Sequence, residues 1–438
     1  MYLKSVHFKN IKSFDNVEFQ FGRDERYAGW HVFVGGNGSG KSTILKGIAL
    51  AIVGPGEARV LMGETSDWLR TVSCDGSIEI EIAPDATFDK RTSKGQPQKS
   101  SFKAGVEWKR DEPNQIPSFQ ALKRKRVEAR DKGLWDPNAS GWMCAGYGPM
   151  RRLTGTSPSA IRHAVSKGVR SRLLTLFYED AALTESEQWF KEISARAALE
   201  TNGEKNYEQL KEQVRSFLNS GLLPNDLRIS QATMDAVILE NDGGVRLPMR
   251  DLSDGVRSVY AFTLDLIHAF YDVYGSFELF KKSENEEYWV VDKPGVVLID
   301  EVEAHLHPKW QKTLSEWLMT RFPGVQFIVT THSPLIVQAA TPGGVYVLPL
   351  QDEGDRKPRR LTDVEADKIR FGKAEKILLG EAFGLQNTRS KWANEQIKHY
   401  QRLAAKQKQG VELSEEEKEK LGDLKGQMGL IFEPSGEE

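Results

Sequence analysis

The segment Gly35-Gly36-Asn37-Gly38-Ser39-Gly40-Lys41-Ser42-Thr43 fits G-x-x-x-x-G-K-[ST] and constrains this chain more than any other stretch. Its surroundings agree. His31-Val32-Phe33-Val34 reads as a strand entering it, and Ile44, Leu45, Ile48, Ala49 and Ile52 follow at helical spacing. Gly54-Pro55-Gly56 is expected to stop that helix. Glycines let such a turn curl with its N–H groups inward, which makes an anion nest at the positive end of a helix dipole. Lys41 is placed to reach the β- and γ-phosphates of a nucleotide as a mobile point charge. The Ser42 hydroxyl is placed to ligate Mg²⁺, whose other sites go to phosphate oxygens and water.

A second half of the same chemistry lies far along the chain. Val296-Val297-Leu298-Ile299 reads as a fully buried strand with Asp300-Glu301 at its carboxyl end, where α/β sheets bind ligands. Asp300 is the expected partner of the Mg²⁺ shell, and Glu301 is positioned to polarise an attacking water. Leu252-Ser253-Asp254-Gly255-Val256-Arg257-Ser258 precedes a helix, with Ser253 as its N-cap candidate. Val325-Gln326-Phe327-Ile328-Val329-Thr330-Thr331-His332-Ser333-Pro334 reads as another buried strand, ending in a polar His332. Alone, a capped helix and a surface histidine are ordinary. In this order they fit one scheme.

That order resembles the ABC-type ATPase heads of the RecF, Rad50 and SMC proteins, with the stretches above as Walker A, signature, Walker B and switch. Asp300 to Pro308, Gly146-Tyr147-Gly148-Pro149-Met150-Arg151-Arg152 and Glu381-Ala382-Phe383-Gly384-Leu385 are more like the OLD and Septu-type anti-phage ATPases, without a Toprim nuclease domain. The resemblance implies an α/β P-loop fold: a mixed central sheet, an N-terminal antiparallel β-subdomain, an inserted helical arm and a helical C-terminal tail. It also implies that Ser253 and Gly255 bind the γ-phosphate of ATP held by a second copy, that His332 senses that phosphate, and that Glu301 is the general base. ATP then holds a dimer together. Two departures stand out: Asp254 replaces the second residue of the usual signature glycine pair, and Tyr147-Gly148-Pro149 stands where a switch-loop Gln is usual.

The expected divisions are 1–56 with the Lys41 loop, a β-rich and basic insertion at 57–145, a helical insertion at 146–228, the returning ATPase lobe at 229–350, and a linker with helical extension at 351–438. Within them, 85–100 reads as a mobile loop and 157–219 as helical. Lys123-Arg124-Lys125-Arg126, with Arg130 and Lys132, reads as a solvated helix face in preference to a nucleic-acid contact. Sixty basic against 62 acidic residues give a net charge of −2, which argues against a uniformly basic coat for nucleic acid. No apolar run approaches the roughly 18 residues of a membrane span. Cys74 and Cys144 are too few for a disulfide framework, so a cytoplasmic protein is expected. His305 and His307 fit a loop facing a dimer partner better than a metal site. The favoured function is an ATP-driven switch or scaffold for a separate effector nuclease in anti-phage defence. The alternative is a DNA-repair or DNA-tethering ATPase acting on DNA directly. The long insertion does not suit a transporter subunit, and a self-contained nuclease lacks a paired-acid site after His332.

Overall fold

Apolar alternation at the start of the chain produces a hairpin of β1 (Tyr2–Ile11) and β2 (Phe14–Gln20), with Ile11 opposite Phe14. The turn is only Lys12-Ser13, tighter than the connection across 10–16 that the polar residues suggest. Lys12 accepts a φ of 43°, and Asn10 stays in the strand to bond the 71–75 segment: its amide donates to the carbonyls of Thr71, Cys74 and Asp75. β3 (Gly29–Val34) then leads into α1 (Lys41–Met62). β4 (Gly76–Ala83), β5 (Phe102–Lys109) and β6 (Ser118–Ala121) complete an antiparallel sheet of order β2-β1-β4-β5-β6. The computed structural model describes residues 1–22, 25–71, 73–91, 95–110, 116–122, 129–130, 132–151, 168–179, 181, 183–200, 206–223, 227–275, 278–349 and 357–432. The Lys123-Arg124-Lys125-Arg126 cluster and the start of the expected helical stretch, 157–167, lie outside them.

The first helical stretch of α1 ends at Gly54, as expected, and a second stretch starts at Pro55. Gly54 takes φ 78° and ψ 170°, which kinks the helix, and Pro55 restarts it where a missing N–H costs nothing. The carbonyls freed by the kink are met by Trp135, whose Nε1 donates to Ala51 and Ile52 at 3.3 and 3.1 Å. Residues 85–100 are likewise pinned in their described part. Asp89 is fully buried and accepts from the backbone N–H of Asp85 at 2.7 Å and of Trp142 at 2.9 Å. A polar stretch without periodicity is here organised around one buried carboxylate.

The chain continues through β7 (Cys144–Tyr147), helices α2 (Thr184–Leu199) and α3 (Tyr207–Leu218), and the meander β8 (Arg228–Ala232), β9 (Val237–Glu240) and β10 (Arg246–Pro248). α4 (Asp254–Tyr274) and the ribbon β11 (Lys281–Lys282) and β12 (Trp289–Val290) follow. Then come β13 (Gly295–Ile299), α5 (Pro308–Arg321), β14 (Val325–Thr331), β15 (Val345–Val347) and β16 (Arg359–Arg360). The second sheet has order β16-β15-β3-β14-β13-β7, parallel throughout except for the β15–β16 edge pair.

α1 lies between the two sheets, so it is apolar on nearly every side. Ile44, Leu45 and Ile48 share one core with Phe8, Ile78 and Val106 of the antiparallel sheet and with Val296, Leu298 and Ile328 of the parallel one. Gln326, buried on β14, ties the sheets directly: its amide accepts from Leu3 N–H at 2.7 Å and donates to Leu3 O at 2.9 Å, where a bulge interrupts β1. The chain forms two compact units, Met1–Ile377 and Leu378–Glu438. The second contains α6 (Lys391–Lys408) and α7 (Glu415–Phe432) around Leu403, Leu413 and Leu421. Ser414 and Glu417 form there the reciprocal cap that their spacing suggests. No helix among the described residues is long and apolar enough to cross a membrane.

Packing of α1 can be read at two glycines. A methyl on Gly47 would lie 2.5 Å from the Phe8 ring and 3.0 Å from Ile78, whereas one on Gly56 would meet nothing within 4 Å. Gly47→Ala is therefore expected to destabilise by about 1–3 kcal/mol through overpacking. Gly56→Ala should stabilise by up to about 1 kcal/mol through the unfolded chain. Urea unfolding checks both; equal midpoints for the two variants would contradict this packing.

Candidate functional site

Parallel pairing brings the carboxyl ends of β3, β14, β13 and β7 to one edge, with Thr331 opposite Val34 and Ile299 opposite both Val329 and Tyr147. The Gly35–Gly40 turn leaves β3 there. Gly38 and Gly40 take φ of 76° and 97°, left-handed values open to glycine at little cost, and α1 begins at Lys41 with no side-chain cap. Its first N–H groups remain free for a ligand. Ser39 is buried, and its Oγ has no hydrogen-bond partner among the described residues. A buried orphan hydroxyl inside a glycine turn suits an anion with many acceptor oxygens. Lys41 Nζ folds back on its own loop and donates to the carbonyls of Gly35 at 3.0 Å and Gly36 at 2.9 Å. Burial lowers its pKa, while Asp300, Glu301 and Glu303 pull it back up.

Directly after β13, Asp300 is buried and its Oδ1 accepts from Thr330 Oγ1 at 2.6 Å. The same Thr330 Oγ1 accepts from Glu301 N–H at 2.7 Å. Glu301 itself has φ 44°, a left-handed value that is uncommon for a side chain with a β-carbon. His332 follows β14 directly. Its pKa is lowered by desolvation first and by the Lys41 charge second, so the ring is neutral at pH 7. Lys41, the Asp300–Glu301 pair and His332, which follow β3, β13 and β14, are therefore brought to one sheet edge from distant parts of the chain.

Ser253 and Gly255 lie at the start of α4. Ser253 precedes α4, is exposed, and makes no side-chain cap bond. Gly255 packs on the turn after β13, where a methyl would stand 2.7 Å from the His305 carbonyl. His307 caps α5, its Nδ1 accepting from Lys309 N–H at 3.2 Å. Among the described residues no group of three His, Cys, Asp or Glu side chains could hold a metal. The hydroxyl of Ser42 and the carboxylate of Asp300 are hard oxygen donors that fit Mg²⁺ sharing its shell with phosphate and water.

Three participants escape a motif reading. Glu303 accepts from Thr331 Oγ1 at 2.7 Å and from His332 N–H, joining the switch to the turn after β13. Thr330 joins the two acids. Arg151, buried behind β7, donates to the carbonyls of that same turn; burial pushes it down to about 10, still charged at neutral pH. The Thr-Thr pair before His332 was the available signal for the first two, while the Gly146–Arg152 stretch contained the third without giving it a role.

Two family models match. One described as "AAA domain, putative AbiEii toxin, Type IV TA system" covers residues 169–338, and one described as "AAA domain" covers 5–134. A Septu protein PtuA of Bacillus mycoides (strain KBAB4) is 24% identical over 390 residues, 88% of this chain and 45% of the relative. A Septu protein PtuA of Bacillus thuringiensis is 29% identical over 219 residues, 49% of this chain and 50% of the relative. Both matching models describe AAA domains, and the chain is similar to Septu PtuA of two Bacillus species. It spans about half the length of these relatives. An SMC head bound to the C-terminal winged helix of ScpA is similar at 15% identity and a TM-score of 0.47, over 84% of this chain and all of that one.

Thr330 offers a direct check on the geometry. Thr330→Val keeps the shape but leaves the Asp300 carboxylate and the Glu301 N–H short of a partner, at a cost of about 1–3 kcal/mol. Thr330→Ser keeps the hydroxyl and should lose less. Chemical unfolding of the two variants compares them; a valine variant as stable as the wild type would refute the bridge.

Proposed function

We propose that this chain is an ABC-type ATPase that binds ATP with Mg²⁺ at the sheet edge and hydrolyses it, and that two copies close around the nucleotide. The convergence of Lys41, Asp300, Glu301 and His332 carries this reading. Residues 35–43 wrap the phosphates, with Lys41 exchanging the carbonyls of Gly35 and Gly36 for β- and γ-phosphate oxygens. Ser42 and Asp300 hold Mg²⁺, which neutralises phosphate charge when bound. Glu301 takes a proton from water as the water oxygen bonds to the γ-phosphorus. The bond from that phosphorus to the β–γ bridging oxygen breaks, and ADP and phosphate leave. Neutral His332 donates a hydrogen bond to the γ-phosphate. Ser253 and Gly255 of a second copy supply free N–H groups at the start of α4 to the same phosphate.

The Septu relatives support a role in anti-phage defence inside the cell, as an ATP-dependent switch or scaffold for a separate effector nuclease. In that role 1–56 and 229–350 form the ATPase lobe, 57–145 and 146–228 its inserted parts, and 351–438 an extension available to the partner.

Binding and chemistry separate by mutation. Lys41→Ala removes a charge-assisted donor and should weaken ATP binding by about 10–10²-fold. Glu301→Gln keeps shape and should retain ATP while losing about 10²–10⁴-fold in turnover. Calorimetry and phosphate release measure the two. Unchanged affinity in the first variant or unchanged turnover in the second would contradict the assignment.

A further inference from the structure

Glu301 poses a mechanical problem: its backbone holds a left-handed φ of 44° at the residue read as the general base. Non-glycine residues keep such conformations only where their surroundings over-determine them. Thr330 Oγ1 secures the Glu301 N–H at 2.7 Å. On the carbonyl side, Glu301 O accepts from Ala304 N–H at 2.9 Å within the turn, and Arg151 ties that turn down from below. Its Nη1 donates to Asp300 O at 3.3 Å, and its Nη2 donates to Glu301 O at 3.2 Å and to Val302 O at 3.1 Å. One guanidinium thus spans three successive carbonyls, those of the base and both its neighbours.

Its own position is set by the sheet. Asp300 N–H extends the β7–β13 pairing by donating to Tyr147 O at 2.8 Å, and the chain then passes Gly148 and Pro149 to bring Arg151 beneath the turn. Gly148 admits no substitute, since a methyl there would stand 2.2 Å from the Thr175 carbonyl. Arg151 is only 5% exposed and keeps its charge in that site. Lysine could not replace it, because a single ammonium lacks the planar fork that reaches several carbonyls at once.

We propose that Arg151 is the positioning residue of the hydrolytic step: it holds the Glu301 backbone in its left-handed conformation and so aims the carboxylate at the attacking water. This rests on the reading of Glu301 as general base. Losing the fork lets the turn relax toward ordinary φ and swings the carboxylate away, while the Lys41 loop is untouched.

The test combines Arg151→Lys and Arg151→Met with Glu301→Gln, reading ATP affinity and single-turnover hydrolysis in the full chain. Both variants should bind ATP as the wild type does and hydrolyse it about 10²-fold more slowly, the loss typical of a displaced catalytic group. Combined with Glu301→Gln, they should cause no further loss, because residues acting through one group are not additive. Wild-type turnover in both variants, losses that multiply in the double mutants, or affinity falling as far as turnover would each overturn the proposal. So would failure of both variants to fold, which would assign Arg151 to the fold alone. Should Glu301→Gln alone turn over ATP normally, the general-base reading itself falls, and that outcome needs no change at residue 151.

Discussion

Every feature of the site depends on the hydrogen-bond register of four parallel strands. Because Thr331 pairs with Val34, and Ile299 with Val329 and Tyr147, the residues that follow each strand emerge together at one edge. A slip of one residue would reverse the side-chain directions of a strand and send the polar residues at its end to the wrong face. Complete burial of Val325–Thr331 and of Gly295–Ile299 resists that slip. β14 contributes most. Its last two threonines face different partners, Thr330 the Asp300–Glu301 pair and Thr331 the Glu303 carboxylate, so one strand end organises all three acids.

Charge at this edge is balanced by cations of different kinds. Lys41 is a point charge on a flexible stem, resting on carbonyls that it can give up for phosphate. Arg151 is buried and spends its donors on the backbone of the turn. The first suits a ligand that comes and goes, and the second a conformation that must persist. Lys41 also helps keep His332 neutral, so that residue enters the site as a hydrogen-bonding group and not as a further cation.

Much of this was legible in the sequence, where chemistry sits in a short contiguous pattern. The Gly35–Thr43 turn, the buried strand ending in Asp300, and the strand before His332 can be read from local spacing, and the structure puts them on adjacent strands. What escaped reading depends on contacts distant in sequence. Gly54-Pro55-Gly56 does break the helix, but what meets the freed carbonyls, Trp135, lies some eighty residues on. Residues 85–100 look loose because Asp89 is anchored partly from Trp142. Arg151 stands in a recognisable stretch, but its role could not be read there, since only pairing of β7 with β13 brings it under the turn.

The N-terminus of α4 packs on the His305 turn with Ser253 exposed. The central claim is that this end completes the site of a second copy, and mixing two damaged chains tests it directly. A Lys41→Ala chain and a Ser253→Arg chain each have only impaired sites as homodimers. Their heterodimer should contain one intact site, with Lys41 from one chain and Ser253 from the other, and so regain ATP occupancy and part of the ATPase activity. Heterodimers that form yet bind no more ATP than the separate variants would contradict it.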